Sequence, residues 1–178
     1  GLNYLESMGH AQPAILAGPL GRLARVRFMR VVHDYFIERN IDPAELLVED
    51  GEYTVESGTQ AMKNLLKRSG DRPICVFAAN DLMALGALLA VREAGLRCPE
   101  DVSILGFDGI PAGVFADPGL TTISKPARKI GDRAMDLLLD QVSGRVTHER
   151  IVLPCQLTDR GSLLDVKDTA PKQMSSTG

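Results

Sequence analysis

Two polar side chains stand directly after two apolar runs, Asn80 after PICVFAA and Asp108 after SILGF. A helical pattern from Asp81 to Ala94 lies between them and stops at Gly95. If each apolar run is a parallel strand and this helix is a single crossover, both polar groups reach the same edge of one sheet. An amide offers donors and an acceptor and a carboxylate offers acceptors, so the pair can hold vicinal hydroxyls. This chemistry indicates binding of a small ligand rather than bond breaking.

Each of these residues also has a structural interpretation. Asn and Asp are favoured at helix N-caps, so Asn80 and Asp81 could both serve only as caps. We expect Asp81 to be the cap or to lie close to it, which leaves Asn80 for a ligand. Asp108 in GFDG could equally form a turn. Tyr53, in the polar loop GEYTVESG, could stack on a sugar or base or simply pack against the loop. We predict ligand roles for Asn80, Asp108 and Tyr53 and leave these alternatives open.

Arginines crowd the start of a predicted helix over residues 22–39. They are Arg22, Arg25, Arg27 and Arg30. The helix dipole disfavours positive charge at this end, and a polar ligand would offset that cost because Arg presents fixed donors. A solvated charged face explains three of the four. We expect one, Arg27, to point into the cleft.

Motifs for catalysis or cofactor binding are missing from the sequence. The three histidines lie far apart, and none adjoins a Ser or Cys in a nucleophile arrangement; we interpret His10 as a structural turn residue. No G-x-G-x-x-G or phosphate loop occurs. The three cysteines show no C-x-x-C spacing, which is typical of reduced thiols used as small core residues. We therefore expect no enzyme, no cofactor and no metal site.

The bulk composition is that of an ordinary globular domain. The chain has 178 residues, 44% of them hydrophobic and 24% charged, enough to form a core. Its net charge of −3 gives no broad attraction to phosphate, so nucleic acid is not expected to bind this part of the protein. Without an apolar run of about 18 residues or an export signal, we expect a soluble cytoplasmic protein. The chain has no Met start, and we expect it to be a piece of a longer protein.

Strand and helix patterns alternate along most of the chain. We predict strands at 13–17, 46–48, 73–78, 102–107 and 121–124, with helices at 22–39, 55–68 and 81–94. This alternation predicts an α/β fold with a doubly wound parallel sheet and right-handed crossovers. A further helix over 126–142 and final strands over 150–157 follow. We expect a disordered tail over 165–178.

The helix that starts at Asp81 is apolar nearly all round. A helix lying on a sheet needs one apolar stripe, so a second apolar face indicates another partner. We predict that Leu85, Leu88 and Leu89 line a homodimer contact. The alternative is that the alanines of this helix are simply neutral surface.

Four long motifs carry a resemblance to a known family. They are LESMGHAQPAILAGP, PICVFAANDLMALGALLAVREAGLRCPEDVSILGFDG, DPGLTTISKPARKIGDRAMDLLL and LTDRGS, and they span residues from about Leu5 to Ser162. Together they resemble the lactose-repressor and galactose-repressor family of bacterial transcription regulators. The resemblance implies a periplasmic-binding-protein-like core of two lobes that binds a small effector, often a sugar or nucleobase, between the lobes. It also implies a helix-turn-helix headpiece for operator DNA that lies outside this chain.

The resemblance implies a division of the chain and a set of effector contacts. Residues 1–124 correspond to the C-terminal lobe, 125–154 to a segment returning to the first lobe, and 155–164 to the return from it. The effector contacts fall on Asn80, Asp108 and the arginine that opens the helix after GPL, and Tyr53 falls where some sugar-binding members carry a stacking aromatic. Lys125 lies near the strand that crosses between the lobes and could reach the cleft. The sequence after that arginine departs from the family pattern, so the choice between Arg25 and Arg27 stays open.

Two rival interpretations of the function remain. The rivals are an exported solute-binding protein of a sugar transporter and a doubly wound enzyme that uses Asp81 or Asp108 in acid-base chemistry.

The helix from Pro126 to Val142 would bury Ile130, Leu137 and Leu138 against first-lobe elements that are absent here. Since exposed apolar surface is costly, we expect this helix to dock on a neighbouring copy or to be poorly ordered.

Overall fold

A sheet of six strands organises the residues that the structure, a computed structural model, describes: 1–70, 74–145 and 149–169. The strands are β1 (Ala14–Ala17), β2 (Val48–Asp50), β3 (Ile74–Ala78), β4 (Val102–Asp108), β5 (Thr122–Ser124) and β6 (Gln156–Thr158). Their order is β2-β1-β3-β4-β5-β6. β1 to β5 pair in parallel, whereas β6 is antiparallel to β5. The predicted doubly wound α/β fold is confirmed.

Helices cover both faces of this sheet. They are α1 (Leu2–Ser7), α2 (Leu23–Ile37), α3 (Val55–Ser69), α4 (Asp81–Glu93), α5 (Ala127–Val142) and α6 (Val166–Thr169), with short 3₁₀ turns at Pro43–Glu45 and Pro111–Val114. Successive strand residues point to opposite faces, so the inner strands divide their side chains between two cores. In β1, Ala14 and Leu16 pack with α3 and α4, while Ile15 and Ala17 pack with α1 and α2. Burial on both faces explains why these strands read as continuous apolar runs.

Two glycines let α3 and α4 pack backbone against backbone. A Cβ at Gly58 would overlap the backbone of Met83, and one at Gly86 would overlap the carbonyl oxygen of Val55. The hydroxyl of Thr59 also donates to the carbonyl of Gly86 at 3.1 Å. This close crossing fixes the starts of α3 and α4 relative to each other.

The structure differs from the sequence prediction in three elements. β2 begins at Val48 rather than at residue 46, and of the predicted final strands only Gln156–Thr158 forms. Part of the predicted disordered tail is a short helix, α6, and the amide of Val166 at its start donates to the carbonyl of Met8 at 2.9 Å. The prediction of disorder is therefore wrong for residues 165–169, and its remainder lies outside the described residues.

α5 forms without a core beneath it. All of its residues are described, and none is buried. Ile130 is 47% exposed and Leu138 is 52% exposed. The helix is thus formed but not packed on its own chain, and docking on another molecule stays a prediction. In the described part of the chain, no helix has the length and hydropathy needed to cross a membrane.

Candidate ligand site

The carboxyl ends of the parallel strands bring three predicted residues, Asn80, Asp108 and Lys125, to one edge of the sheet, together with Asp50, which the sequence analysis did not single out. Asp50 ends β2, Asn80 follows β3 by two residues, Asp108 ends β4 and Lys125 follows β5. β3 and β4 are direct neighbours, with Phe77 in register with Leu105. Asn80 and Asp108 therefore lie at the same edge, where the sequence predicted them. Their roles toward a ligand stay predictions.

Asn80 is the N-cap of α4. Its Oδ1 accepts from the amide of Met83 at 2.9 Å, and its Nδ2 donates to the carbonyl of Tyr53 at 3.1 Å. The prediction that Asp81 provides the cap is wrong, because Asn80 has the extended backbone of an N-cap, with φ −153° and ψ 166°. An amide has a second N–H and a second lone pair. Asn80 is 9% exposed, and a ligand role, which would use those remaining groups, stays a prediction.

Asp81 is instead a fully buried carboxylate beneath the edge. Its Oδ2 accepts from the amides of Gly109 and Ile110, both at 2.8 Å, and its Oδ1 accepts from the hydroxyl of Thr122 at 2.6 Å. Gly106 makes room for this group, since a Cβ there would overlap Oδ1. Asp81 thus ties the start of α4 to the turn after β4 and to β5.

Asp108 has an unusual backbone conformation. Its φ is 129°, a region that a residue with a side chain rarely adopts and that costs about 1–3 kcal/mol. Its Oδ1 lies 2.5 Å from Nζ of Lys125, and its carbonyl accepts from the amide of Lys125 at 3.0 Å. The Asp108 side chain is 27% exposed. Asp108 therefore begins a turn and also presents a carboxylate at the edge, so its two predicted interpretations are compatible.

Arg25, rather than Arg27, reaches the edge from α2. The Nη2 atom of Arg25 lies 2.6 Å from Oδ1 of Asp50, and Nε of the same guanidinium donates to that oxygen at 2.7 Å. Arg25 shares the inward face of α2 with Met29 and Val32, which are buried. Two residues span about 200° of helix turn, so Arg27 lies on the opposite face and is exposed. The expectation that Arg27 points into the cleft is corrected to Arg25.

Tyr53 packs over the end of β1. Its ring lies where a Cβ on Gly18 would be, so Gly18 accommodates the ring. The residue is partly buried against the core and has a φ of 60°. Packing against the chain is therefore observed, whereas stacking on a ligand stays a prediction.

The predicted dimer residues do not all lie on the surface. Leu88 is only 8% exposed and belongs to the core between α4 and the sheet. It lies one turn from Ala84 and Val91, which are buried in the same core. Leu89 is 43% exposed and Leu85 is partly buried. Leu88 is thus buried within its own chain, whereas Leu82, one turn from Leu85, is 39% exposed. The homodimer contact itself stays a prediction.

The opposite edge of the sheet holds a cavity of about 620 Å³. His10 and Ser103 line it near the amino ends of the strands. The Nε2 of His10 bonds to the carbonyl of Leu164 at 2.8 Å, which confirms the structural interpretation of this histidine. Among the described residues, no group of three His, Cys, Asp or Glu residues is arranged to hold a metal ion. The polar groups Asp50, Asn80, Asp108 and Lys125, which end or follow the parallel strands β2 to β5, lie at the other edge.

Comparison with known proteins gives consistent matches. A family model described as a periplasmic binding protein-like domain matches residues 2–163. The HTH-type transcriptional repressor CytR of Escherichia coli K12 is 40% identical over 166 residues, covering 90% of this chain and 47% of that protein. A dimeric Lac repressor with a C-terminal deletion superposes with a TM-score of 0.83 at 32% identity, over 93% of this chain and 60% of that one. The complex of the transcriptional regulator CelR with cellobiose superposes with a TM-score of 0.80 at 35% identity, over 90% of this chain and 49% of that one. The chain spans about half the length of the curated relatives it matches.

Proposed function

Because the chain belongs to the family of periplasmic binding protein-like domains, we propose that it is the effector-sensing part of a bacterial transcription regulator. It binds a small uncharged polyol, a sugar or a nucleoside, at the carboxyl edge of the sheet and does not transform it. Binding biases the arrangement of the whole protein between two states, and that bias changes its affinity for operator DNA. The DNA is bound by a helix-turn-helix headpiece that lies outside this chain.

One observation carries this proposal, namely the set of polar groups at one sheet edge. Asp50 is paired with Arg25, and Asp108 is paired with Lys125, so positive and negative charges balance there. A balanced set of donors and acceptors suits hydroxyl groups, each of which donates one hydrogen bond and accepts others. Specific sites of this kind use few polar groups beside apolar walls. A neutral polyol therefore fits better than a phosphate or a metal ion.

The relatives support a sugar and a repressor role. CytR is named an HTH-type transcriptional repressor, and CelR was solved with cellobiose. We extend both properties to the protein of which this chain forms part. Cytoplasmic location follows from a role on DNA.

The same proposal includes a homodimer. Leu82 and Leu89 form an exposed apolar stripe on α4, and Leu85 lies between them. Packing this stripe against the same stripe of a second copy, across a two-fold axis, removes apolar surface from water and stabilises the dimer. The Lac repressor matched above is described as dimeric.

Calorimetric titration with D-ribose, cellobiose and cytidine tests the ligand class. Removing the carboxylate with Asp108→Asn, or the guanidinium with Arg25→Ala, should weaken the binding of the responding compound by about tenfold or more, since each loses a charge-assisted hydrogen bond. Asp101→Asn and Arg27→Ala are the matched controls, because Asp101 lies at the other end of β4 and Arg27 on the other face of α2. Equal affinity in all four variants, or no response to any of the three compounds, contradicts the proposal.

Whether the titrated compounds remain unchanged also distinguishes binding from catalysis. Proton NMR of the mixture should recover D-ribose, cellobiose and cytidine unchanged after prolonged incubation. Appearance of a product would favour an enzyme that uses Asp108 in acid-base chemistry.

A further inference from the structure

Asp81 cannot touch a ligand at the edge, yet it contacts the segments that build the site. Its side chain is fully buried. Its three donors come from two separate segments, the turn after β4 and the strand β5. A buried charge is costly unless it is fully hydrogen-bonded, and three charge-assisted bonds meet that requirement.

The two amide bonds to Oδ2 constrain the backbone next to Asp108. One oxygen accepts from the consecutive amides of Gly109 and Ile110 at 2.8 Å each. Both amides converge on one point only when the chain turns sharply after β4. That turn includes Asp108 at a φ of 129° and Gly109 at a φ of 79°. A strained backbone persists when its surroundings determine it, and the carboxylate of Asp81 is the group that does so here.

The bond to Oδ1 constrains the other half of the ion pair. The hydroxyl of Thr122 donates to Asp81 from the first residue of β5, and Lys125 follows that strand directly. One buried carboxylate thus sets the positions of both members of the pair between Asp108 and Lys125.

We propose that Asp81 is a positioning residue, which holds Asp108 in its left-handed conformation and thereby aims the Asp108 carboxylate at the ligand edge beside Lys125. This inference rests on the proposed function for its consequence in binding. The effect of Asp81 on the backbone of Asp108 can be measured in this chain without any ligand. It can therefore be tested separately from the effect on ligand binding.

NMR of the chain without ligand tests the geometric part. Asp81→Asn keeps the volume of the side chain and one oxygen acceptor, but it removes the charge. Hydrogen exchange at the amides of Gly109 and Ile110 should accelerate by about tenfold or more. The three-bond coupling between the amide and α protons of Asp108, which is small at a φ of 129°, should increase as that backbone conformation is lost. Asp101→Asn, a change of the same kind at the opposite end of β4, should alter neither measurement.

A second variant covers the case in which Asp81→Asn does not fold. Thr122→Val removes only the hydroxyl that anchors Oδ1 and keeps the carboxylate. It should accelerate exchange at Gly109 and Ile110 by a few fold, because the carboxylate then rotates more freely. Unchanged exchange and unchanged coupling in every folded variant would overturn the inference.

A double-mutant cycle tests the consequence in binding, with cellobiose as the titrated probe. If Asp81 acts through Asp108, Asp81→Asn weakens binding in the wild-type background and adds no further loss in the Asp108→Asn background. Additive losses contradict action through Asp108. If the wild type does not bind cellobiose, the proposed use of this sugar fails while the NMR result still decides the role of Asp81.

Discussion

Replacing Gly86 with Ala perturbs the crossing of α3 and α4, on which the ligand edge depends. The new methyl group would overlap the carbonyl oxygen of Val55 and lie 2.7 Å from the amide nitrogen of Thr59. Both obstacles are backbone atoms, so no side-chain rotation can relieve the contact. Overpacking costs about 1–3 kcal/mol, and backbone obstacles place this case at the upper end. Alanine recovers about 1 kcal/mol through its better helix propensity, which leaves a net loss of about 2 kcal/mol in the free energy of unfolding.

Urea denaturation followed by circular dichroism measures this loss, with Gly131→Ala as the matched control. Gly131 lies in α5, where a Cβ would meet nothing within 4 Å, so only the propensity gain applies. The control should therefore be as stable as the wild type or more stable by up to about 1 kcal/mol. The Gly86 variant should show a lower midpoint with an unchanged slope. If it is as stable as the control, the helices can separate freely, and the close crossing does not fix the site.

Three further predictions concern other parts of the chain. Iodoacetamide at pH 8 should label the exposed Cys155 first, because burial raises the pKa of the Cys98 thiol to about 12 and raises that of Cys75 as well; equal labelling rates would contradict the packing. Burial lowers the pKa of His10 below its ordinary value of 6.5, so the unfolded state binds more protons and stability falls as the pH drops from about 7 to 5. His10→Gln should flatten that part of the stability curve, and an unchanged slope would refute this. Leu138→Glu on α5 should leave the unfolding midpoint unchanged but reduce binding of an apolar dye, since Leu138 is half exposed; a lowered midpoint would mean that α5 is packed.

Strand ends were predictable because strands buried on both faces read as continuous apolar runs that stop where the strand stops. Runs such as ICVFA, buried on both faces, give strands whose carboxyl ends share one edge. The placement of Asn80 and Asp108 at that edge follows directly. The family membership that the motifs indicated is confirmed by the match over residues 2–163.

The roles of neighbouring polar residues were not predictable in the same way. Asn80 and Asp81 are both good N-caps, and only the position of Gly109 and Thr122 decides that Asp81 points inward. Similarly, Arg25 and Arg27 point about 200° apart around α2. Which of them faces inward depends on how α2 is rotated against the sheet, and only the packing of Met29 and Val32 decides this.

The apolar face of α4 shows a different limit. A helix that is apolar all round is expected to meet two partners, but the sequence does not say which leucine faces which partner. In the structure, α4 crosses α3 closely at Gly58 and Gly86, Leu88 is buried in the core and Leu89 is exposed. A sequence does not identify two glycines as a packing site until the two helices that carry them are known to be neighbours.

Chemical-shift mapping of the isotope-labelled chain during titration with cellobiose tests the central claim most directly. The account predicts saturable shifts confined to the carboxyl edge of the sheet, at Arg25, Asn80, Asp108 and Lys125. Shifts at the opposite edge, around His10 and Leu164, would place the ligand in the 620 Å³ cavity and contradict the account.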